Sequence, residues 1–309
     1  MKLPGRGLAG DGAGWRGDKQ DRGAGVIGDI KGRGAVVTGA ASGIGLGIAR
    51  AMAARGVKLF LADIDAEALA RIKAGLMAGG GAVETIVLDV SDRAAVKEAA
   101  AHAADFLGAI HILCNNAGVG YAGVPLDAVP DEDWDWVVGV NLMGVINGLQ
   151  AFLPRIEGHG QGGHIVNTAS IGGHHVMPGW GHGVYSTTKY AVVGLSEALK
   201  DDLKDKNIGV SVLCPAAVDT AIYESGRHRP DRYGGPFERP FDHDLPALLK
   251  AGMAPIEIGR WVIRAIEDDA FYIFTHPATR EFIDRRYKRI DDAYAWAARM
   301  APDIERQRD

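Results

Sequence analysis

The chain has 309 residues, 47% of them apolar and 24% charged, with a formal charge of −5; this is the balance of an ordinary globular protein, long enough for one large domain or two small ones. That charge leaves no basic footprint for nucleic acid, and no stretch approaches the roughly 18 uninterrupted apolar residues of a membrane span, so neither partner is favoured. Small molecules are the expected partners.

Residues 1–28 are rich in glycine and charge, with no apolar core segment or small-residue cleavage pattern, and do not read as a secretory signal. Such a stretch buries too little apolar surface to offset the entropy of ordering it, so a disordered N-terminal extension is expected. From Gly34 onward short apolar runs alternate with amphipathic stretches, the pattern of a parallel sheet covered by helices. Strands are predicted near Gly34–Thr38, Lys58–Ala62, Val83–Leu88, Ile110–Asn115, Gly163–Ala169, Val210–Cys214 and Phe271–Phe274. Helices are predicted near Gly43–Ala54, Ala66–Gly75, Arg93–Leu107, Asp131–Leu153, Tyr185–Lys204, Pro255–Glu267 and Ala278–Ala298. Nothing repeats at a solenoid period, so residues 29–309 are expected to form one doubly wound α/β domain around a mainly parallel seven-stranded sheet. Cys114 and Cys214 each end an apolar run, which reads as two reduced core thiols in a cytoplasmic protein.

The first strand runs into Thr38-Gly39-Ala40-Ala41-Ser42-Gly43-Ile44-Gly45, and a helix starts at the second glycine. Gly39 permits a tight turn, Gly43 lets a pyrophosphate approach the helix N-terminus beside Ser42 and Ile44, and Gly45 allows close helix-to-strand packing. Asp63 ends the next strand, where an acid meets an adenosine ribose. A carboxylate there accepts from both ribose hydroxyls and repels a 2′-phosphate, and neither Ser42 nor Ile64 offers a cation, so NAD is expected over NADP. Asp89, followed by Val90 after the third strand, reads either as an acceptor for the adenine amino group or as an N-terminal charge for the next helix.

Tyr185 and Lys189 lie four apart at the start of a predicted helix, hence on one face. A phenol with its usual pKa of about 10 is a poor acid-base group near neutrality, and a fixed ammonium beside it is expected to lower that value. The pair could pass a proton to or from a substrate oxygen. Ser170 follows the strand at Gly163–Ala169, so its hydroxyl sits at a carboxyl end, where ligands bind in open α/β sheets. Asn141 is a poor helix former set mid-helix; it reads as a functional residue or as an amide satisfying nearby backbone.

With Thr38 to Gly45, Asp63, Asn115-Asn116-Ala117-Gly118, Asn141, Ser170, Tyr185 and Lys189 in this order, the chain resembles the short-chain dehydrogenase/reductase family over about residues 29–275. The resemblance implies a Rossmann fold and a catalytic tetrad of Ser170, Tyr185, Lys189 and Asn141, with Asn141 holding a water in a proton relay to Lys189. It implies that Asn116, Ala117 and Gly118 line the adenine-ribose side. Pro215, Val218 and Thr220 fall where the family holds the nicotinamide carboxamide, although Ala216 stands in place of the usual glycine. Homodimers or homotetramers through helices Asp131–Leu153 and Tyr185–Lys204 are implied as well, and both helices carry apolar residues on more than one face.

Two segments are expected to build the substrate site: Ile171–Val184, and a lid over about residues 219–253. Ile171, Met177, Trp180 and Tyr223 are expected to face the substrate as an apolar, aromatic wall. The lid arginines are expected to pair with Asp231, Asp242 and Asp244. His174, His175 and His182 could ligate a metal, but hydride chemistry needs none and no metal site is expected. Several segments resemble the subgroup containing the Cα-dehydrogenases of lignin-derived β-aryl ethers, which implies a hydrophobic, aromatic or benzylic secondary alcohol exchanged with its ketone.

Overall fold

The computed structural model describes residues 27–238 and 245–300. Seven strands form one sheet in the order β3-β2-β1-β4-β5-β6-β7, and every pairing is parallel. They are β1 Gly34–Thr38, β2 Lys58–Asp63, β3 Val83–Val87, β4 Ile112–Asn115, β5 Gly163–Thr168, β6 Ile208–Leu213 and β7 Tyr272–Ile273. The central strands are buried along their whole length, which is why they read as continuous apolar runs rather than alternating ones.

Both faces are covered. Helices α1 (Gly43–Ala54), α2 (Ala66–Ala78) and α8 (Pro255–Asp268) pack a core with Ile48, Leu59, Leu61, Leu69, Val262 and Ile266. Opposite lie α3 (Arg93–Leu107), the pair α4 (Asp131–Val138) and α5 (Gly144–Gly158), and α6 (Gly183–Asp202), around Phe60, Leu113, Trp136 and Phe152. The remaining helices are α7 (Leu245–Lys250) and α9 (Arg280–Met300). Ile27 and Ile30 are already buried in the first core, so the folded body begins before the predicted boundary at residue 29; the predicted extension otherwise lies outside the described residues.

Three differences from the sequence reading have physical causes. The single predicted helix Asp131–Leu153 is α4 and α5 joined through a π turn at Gly139–Met143, and it continues past Pro154 to Gly158. Pro154 lacks an N–H, and the Arg155 guanidinium donates to the carbonyl of Ala151 in the turn it disturbs, at 2.8 Å. This stretch, residues 131–158, is long and apolar enough to cross a membrane, but it is mostly buried inside the fold. β7 is two residues long, inside the predicted Phe271–Phe274, and it pairs with β6 only at Val212 and Leu213.

The order of strands reverses between β1 and β4, and a crevice opens there at their carboxyl ends. Thr38 and Asn116 clip the two ends together. The Thr38 hydroxyl accepts from the backbone N–H groups of Asn116 (3.0 Å) and Ala117 (3.1 Å), and the Asn116 amide donates to the carbonyl of Thr38 at 3.0 Å. Deeper in, a chain of buried amides crosses the sheet. Asn115 donates to Asn167 at 3.0 Å, Asn167 donates to the Ser196 hydroxyl at 3.1 Å, and Ser196 donates to the Val192 carbonyl at 2.7 Å. That chain ties β4 and β5 to α6.

Candidate active site

Gly39 turns and Gly45 packs as their spacing predicts. Gly39 has φ +64°, and a Cβ there would lie 2.7 Å from the Cα of Ala117, so the residue needs both left-handed backbone and close approach. A Cβ on Gly45 would collide with the Gly39 carbonyl, which confines its role to packing, and it does not line the crevice. Gly39, Ser42, Gly43 and Ile44 do line it, together with Asp63, Asp89, Val90, Asn116, Ala117 and Gly118.

Asp63 stands at the crevice rim. One carboxylate oxygen accepts from Ala41 N at 2.8 Å and the other from Asp65 N at 3.0 Å. These bonds fix the carboxylate plane and leave each oxygen a further lone pair for a hydroxyl donor. Asp89 lines the same crevice but does not cap the helix that follows. It accepts from the N–H and hydroxyl of Ser91 and from Arg232 of the lid, while Asp92 caps α3 by accepting from Ala94 N and Ala95 N.

At the other end of the crevice, Ser170, Tyr185 and Lys189 line one wall with Pro215, Val218 and Thr220. A Cβ built on Gly172 would touch both the Ser170 hydroxyl (3.4 Å) and the Tyr185 ring (3.5 Å), which places the two side chains side by side. The Ser170 hydroxyl also accepts from Gly172 N at 3.0 Å. Lys189 is buried; its ammonium lies 5.5 Å from the centre of the Tyr185 ring and donates to the Thr168 carbonyl at 3.0 Å. Burial lowers the Lys189 pKa from 10.5 to about 8. The expected lowering of the Tyr185 pKa is corrected: desolvation raises the phenol, and the hydrogen bond with Ser170 opposes that rise.

Asn141 is fully buried on the π turn. Its carbonyl oxygen accepts from Val119 N at 2.8 Å, and its amide donates to the Val119 carbonyl at 3.0 Å and the Thr188 hydroxyl at 3.3 Å. The side chain therefore satisfies nearby backbone, the local one of the two sequence readings. It still reaches the catalytic end, because a Cβ on Gly118 would lie 3.2 Å from its oxygen and 3.5 Å from the Lys189 ammonium.

The substrate wall differs from the expected one. Tyr223 lines the crevice, but Ile171, Met177 and Trp180 do not; Tyr121, Trp136, Val140, His182, Ile222 and Leu249 do. The first residues after Ser170 turn away from the crevice before the chain returns to it at His182: His174 packs against Phe274 and touches the Cys214 sulfur, and His175 stacks on Phe282. Among the described residues, no group of three or more His, Cys, Asp or Glu gathers as a metal site. Both cysteines are buried and free.

The lid arginines also depart from expectation. Arg227 pairs with Glu224, Arg232 with Asp89, and Arg229 is buried against Asp133 of α4 at 2.6 Å. Asp242 and Asp244 lie outside the described residues. The Arg229 guanidinium sits 5.8 Å from the Trp136 ring and 5.1 Å from that of Phe237, and Tyr121 donates to Asp133 at 2.6 Å. A cation from the connection after Asp219 is thus buried against α4, beside Trp136 and Tyr121, which both line the crevice, in a pairing that spans 96 residues of sequence.

The family model described as short chain dehydrogenase matches residues 33–231. The C alpha-dehydrogenase of Sphingobium sp. strain SYK-6 is 37% identical, over 81% of this chain and 82% of that protein. The 1-deoxy-11-beta-hydroxypentalenate dehydrogenase of Streptomyces exfoliatus is 35% identical, over 84% and 90%. Among solved structures, a short chain dehydrogenase/reductase from Burkholderia phymatum in complex with NAD is 38% identical, covers 85% of this chain and 95% of its own, and superposes with a TM-score of 0.81. With a seven-stranded parallel sheet, a glycine turn at its switch point and Ser170, Tyr185 and Lys189 converging at its carboxyl edge, the chain belongs to the short-chain dehydrogenase family of oxidoreductases, which act on CH–OH donors.

Proposed function

We propose that this chain is an NAD-dependent dehydrogenase that interconverts a hydrophobic, aromatic secondary alcohol and its ketone. The observation that carries the reading is a single crevice with a ribose-accepting carboxylate, Asp63, at one end and Ser170, Tyr185 and Lys189 at the other, under an apolar wall of Tyr121, Trp136, Val140 and Ile222. Asp63, the glycine turn, Asn116 to Gly118 and the Pro215, Val218 and Thr220 segment would hold the cofactor. NAD, when bound, supplies the acceptor of the substrate hydride.

In the oxidising direction Tyr185 takes the alcohol proton, and in the reducing direction it returns it. Its position in the first turn of α6 favours negative charge through the helix dipole. Ser170 donates to the substrate oxygen, and the Lys189 ammonium stabilises the charge that develops nearby. The Asn141 amide is committed to Val119 and Thr188, so we assign Asn141 the task of joining the backbone next to Gly118 to α6, the helix that carries Lys189. The chain is further proposed to act in the cytoplasm and to form homodimers or homotetramers through the α4–α5 and α6 faces.

The relative named a C alpha-dehydrogenase and the apolar wall both support an aromatic substrate. The test is NADH formation by purified protein against 1-aryl secondary alcohols and aliphatic ones of matched size. Turnover confined to aliphatic or strongly polar alcohols would overturn the substrate class. A kcat/KM favouring NADP would overturn the cofactor.

A further inference from the structure

The connection from β6 to α8 does not take a short path. Beyond Thr220 it crosses the carboxyl ends of β4, β2 and β3 in turn, toward the edge of the sheet that lies away from β6. Each crossing is bonded. The Ser225 hydroxyl accepts from Gly120 N at 3.2 Å, and the His228 ring lies 3.5 Å from the Asp65 carboxylate. Arg232 donates to the Ser91 hydroxyl at 2.7 Å and also to Asp89, and the Tyr233 hydroxyl donates to Ser91 at 3.3 Å. With Arg229 buried against Asp133, the segment is tied down on the side of the crevice where Asp63 stands. That is the adenosine side, since the acid that ends β2 is the one that meets the ribose.

Charge gives this path a meaning. Asp63 and Asp89 line that end of the crevice, and Asp65 stands beside it. The glycine turn from Gly39 to Gly45 holds no basic residue. The N-terminus of α1 therefore offers a dinucleotide only the partial charge of a helix end, while the pyrophosphate brings two negative charges among carboxylates. Among the described residues that line the crevice, the basic ones are His182 and Lys189 at the catalytic end and Arg227 and His228 on this connection.

We infer that Arg227 and His228 complete the adenosine subsite as its outer wall, setting a cation on the adenosine phosphate across the crevice from Asp63, Ile64 and Asp89. The two side chains form one unit, because Arg227 Nε donates to His228 Nε2 at 2.8 Å. Glu224 also lines the crevice, and its carboxylate accepts from Arg227. A guanidinium carries five N–H donors in a planar fork, so others remain for a phosphate. Pro230 continues the same wall. The inference rests on the NAD reading above and adds to it a part of the cofactor site that comes from the far end of the chain.

Calorimetric titration of the full chain with three probes tests it: ADP-ribose, NADH, and reduced nicotinamide mononucleotide, which lacks the adenosine phosphate. Arg227→Met combined with His228→Phe changes two partly exposed side chains. It should weaken ADP-ribose and NADH by about tenfold or more, as the loss of a hydrogen bond to a charged group does, and leave the mononucleotide unchanged. Arg227→Lys, which keeps the charge and loses the fork, should recover part of that affinity. A double variant that binds ADP-ribose as wild type does overturns the proposal. So does an equal loss for the mononucleotide, the mark of general damage to the connection rather than of a lost phosphate contact. Tighter binding of 2′-phospho-ADP-ribose than of ADP-ribose by wild type would count against the choice of NAD, and the same comparison of variant with wild type, made on that ligand, would still decide the subsite.

Discussion

Replacing Lys189 with Met should make the cofactor-free protein more stable while it destroys turnover. In the fold the Lys189 pKa falls from 10.5 to about 8, so the buried site disfavours the cation that catalysis uses. A depression of that size costs about 3 kcal/mol at neutral pH, at roughly 1.4 kcal/mol per unit. Methionine fills nearly the same volume without the charge, but it forfeits the hydrogen bond to the Thr168 carbonyl, worth about 1 kcal/mol. The expected net gain is about 2 kcal/mol at pH 7. Its pH dependence follows from linkage. Below pH 8 both folded and unfolded chains carry the proton and the cost is fully present; between 8 and 10.5 the unfolded chain binds more protons, and the cost fades. The charge penalty should fall by roughly half by pH 9.5. Urea unfolding of both proteins at pH 7 and 9.5 reads the difference directly, and the comparison cancels the buried thiols and phenols that the two share. A variant less stable than wild type at pH 7, or a gain independent of pH, would refute the reasoning.

Three further outcomes are expected. Tyr185→Phe should reduce kcat by at least about 10²-fold with NADH affinity nearly unchanged, as measured by steady-state kinetics and fluorescence titration; retention of most activity would remove Tyr185 from its role. Because desolvation raises the Tyr185 phenol in the free protein, the oxidation kcat/KM should still be climbing at alkaline pH, and a plateau below neutrality would contradict this. Arg229→Met breaks the buried pair with Asp133 and should cost about 3 kcal/mol in urea unfolding, at the low end for such pairs because Tyr121 still donates to Asp133. It should also raise KM for alcohol more than it lowers kcat, since it frees the lid without touching Tyr185; unchanged stability and KM would show that the lid is held elsewhere.

How far the sequence discloses this molecule depends on distance along the chain. The seven strands, the glycine turn and the Tyr185 and Lys189 pair are local patterns, and each lies where its pattern places it. Patterns fail where tertiary contact decides. Arg229 sits in a polar stretch and reads as solvated, and only the folded chain reveals Asp133, Trp136 and Phe237 around it. Met177 and Trp180 have the composition of a pocket wall, but neither lines the crevice; Trp180 packs on His182, which does. The π turn at Asn141 is not legible in the sequence, because it is a single five-residue turn, too short to be told from ordinary helix by composition or apolar spacing. His182 has no signal beyond its neighbours, yet it lines the crevice beside Tyr185.

The chain of amides from Asn115 through Asn167 to Ser196 has a mechanical meaning. Ser196 lies seven residues beyond Lys189 on α6, hence on nearly the same side of the helix two turns away. The bond from Asn167 to Ser196 therefore sets the angle through which α6 is rolled about its own axis, as a key sets a shaft. With the ammonium several ångströms off that axis, a roll of ten degrees would displace it by about 1 Å, enough to cost about 10²-fold in rate. A well-packed aliphatic side chain at Asn167 would keep the core full and the sheet intact, but α6 would lose the polar stop that fixes its roll.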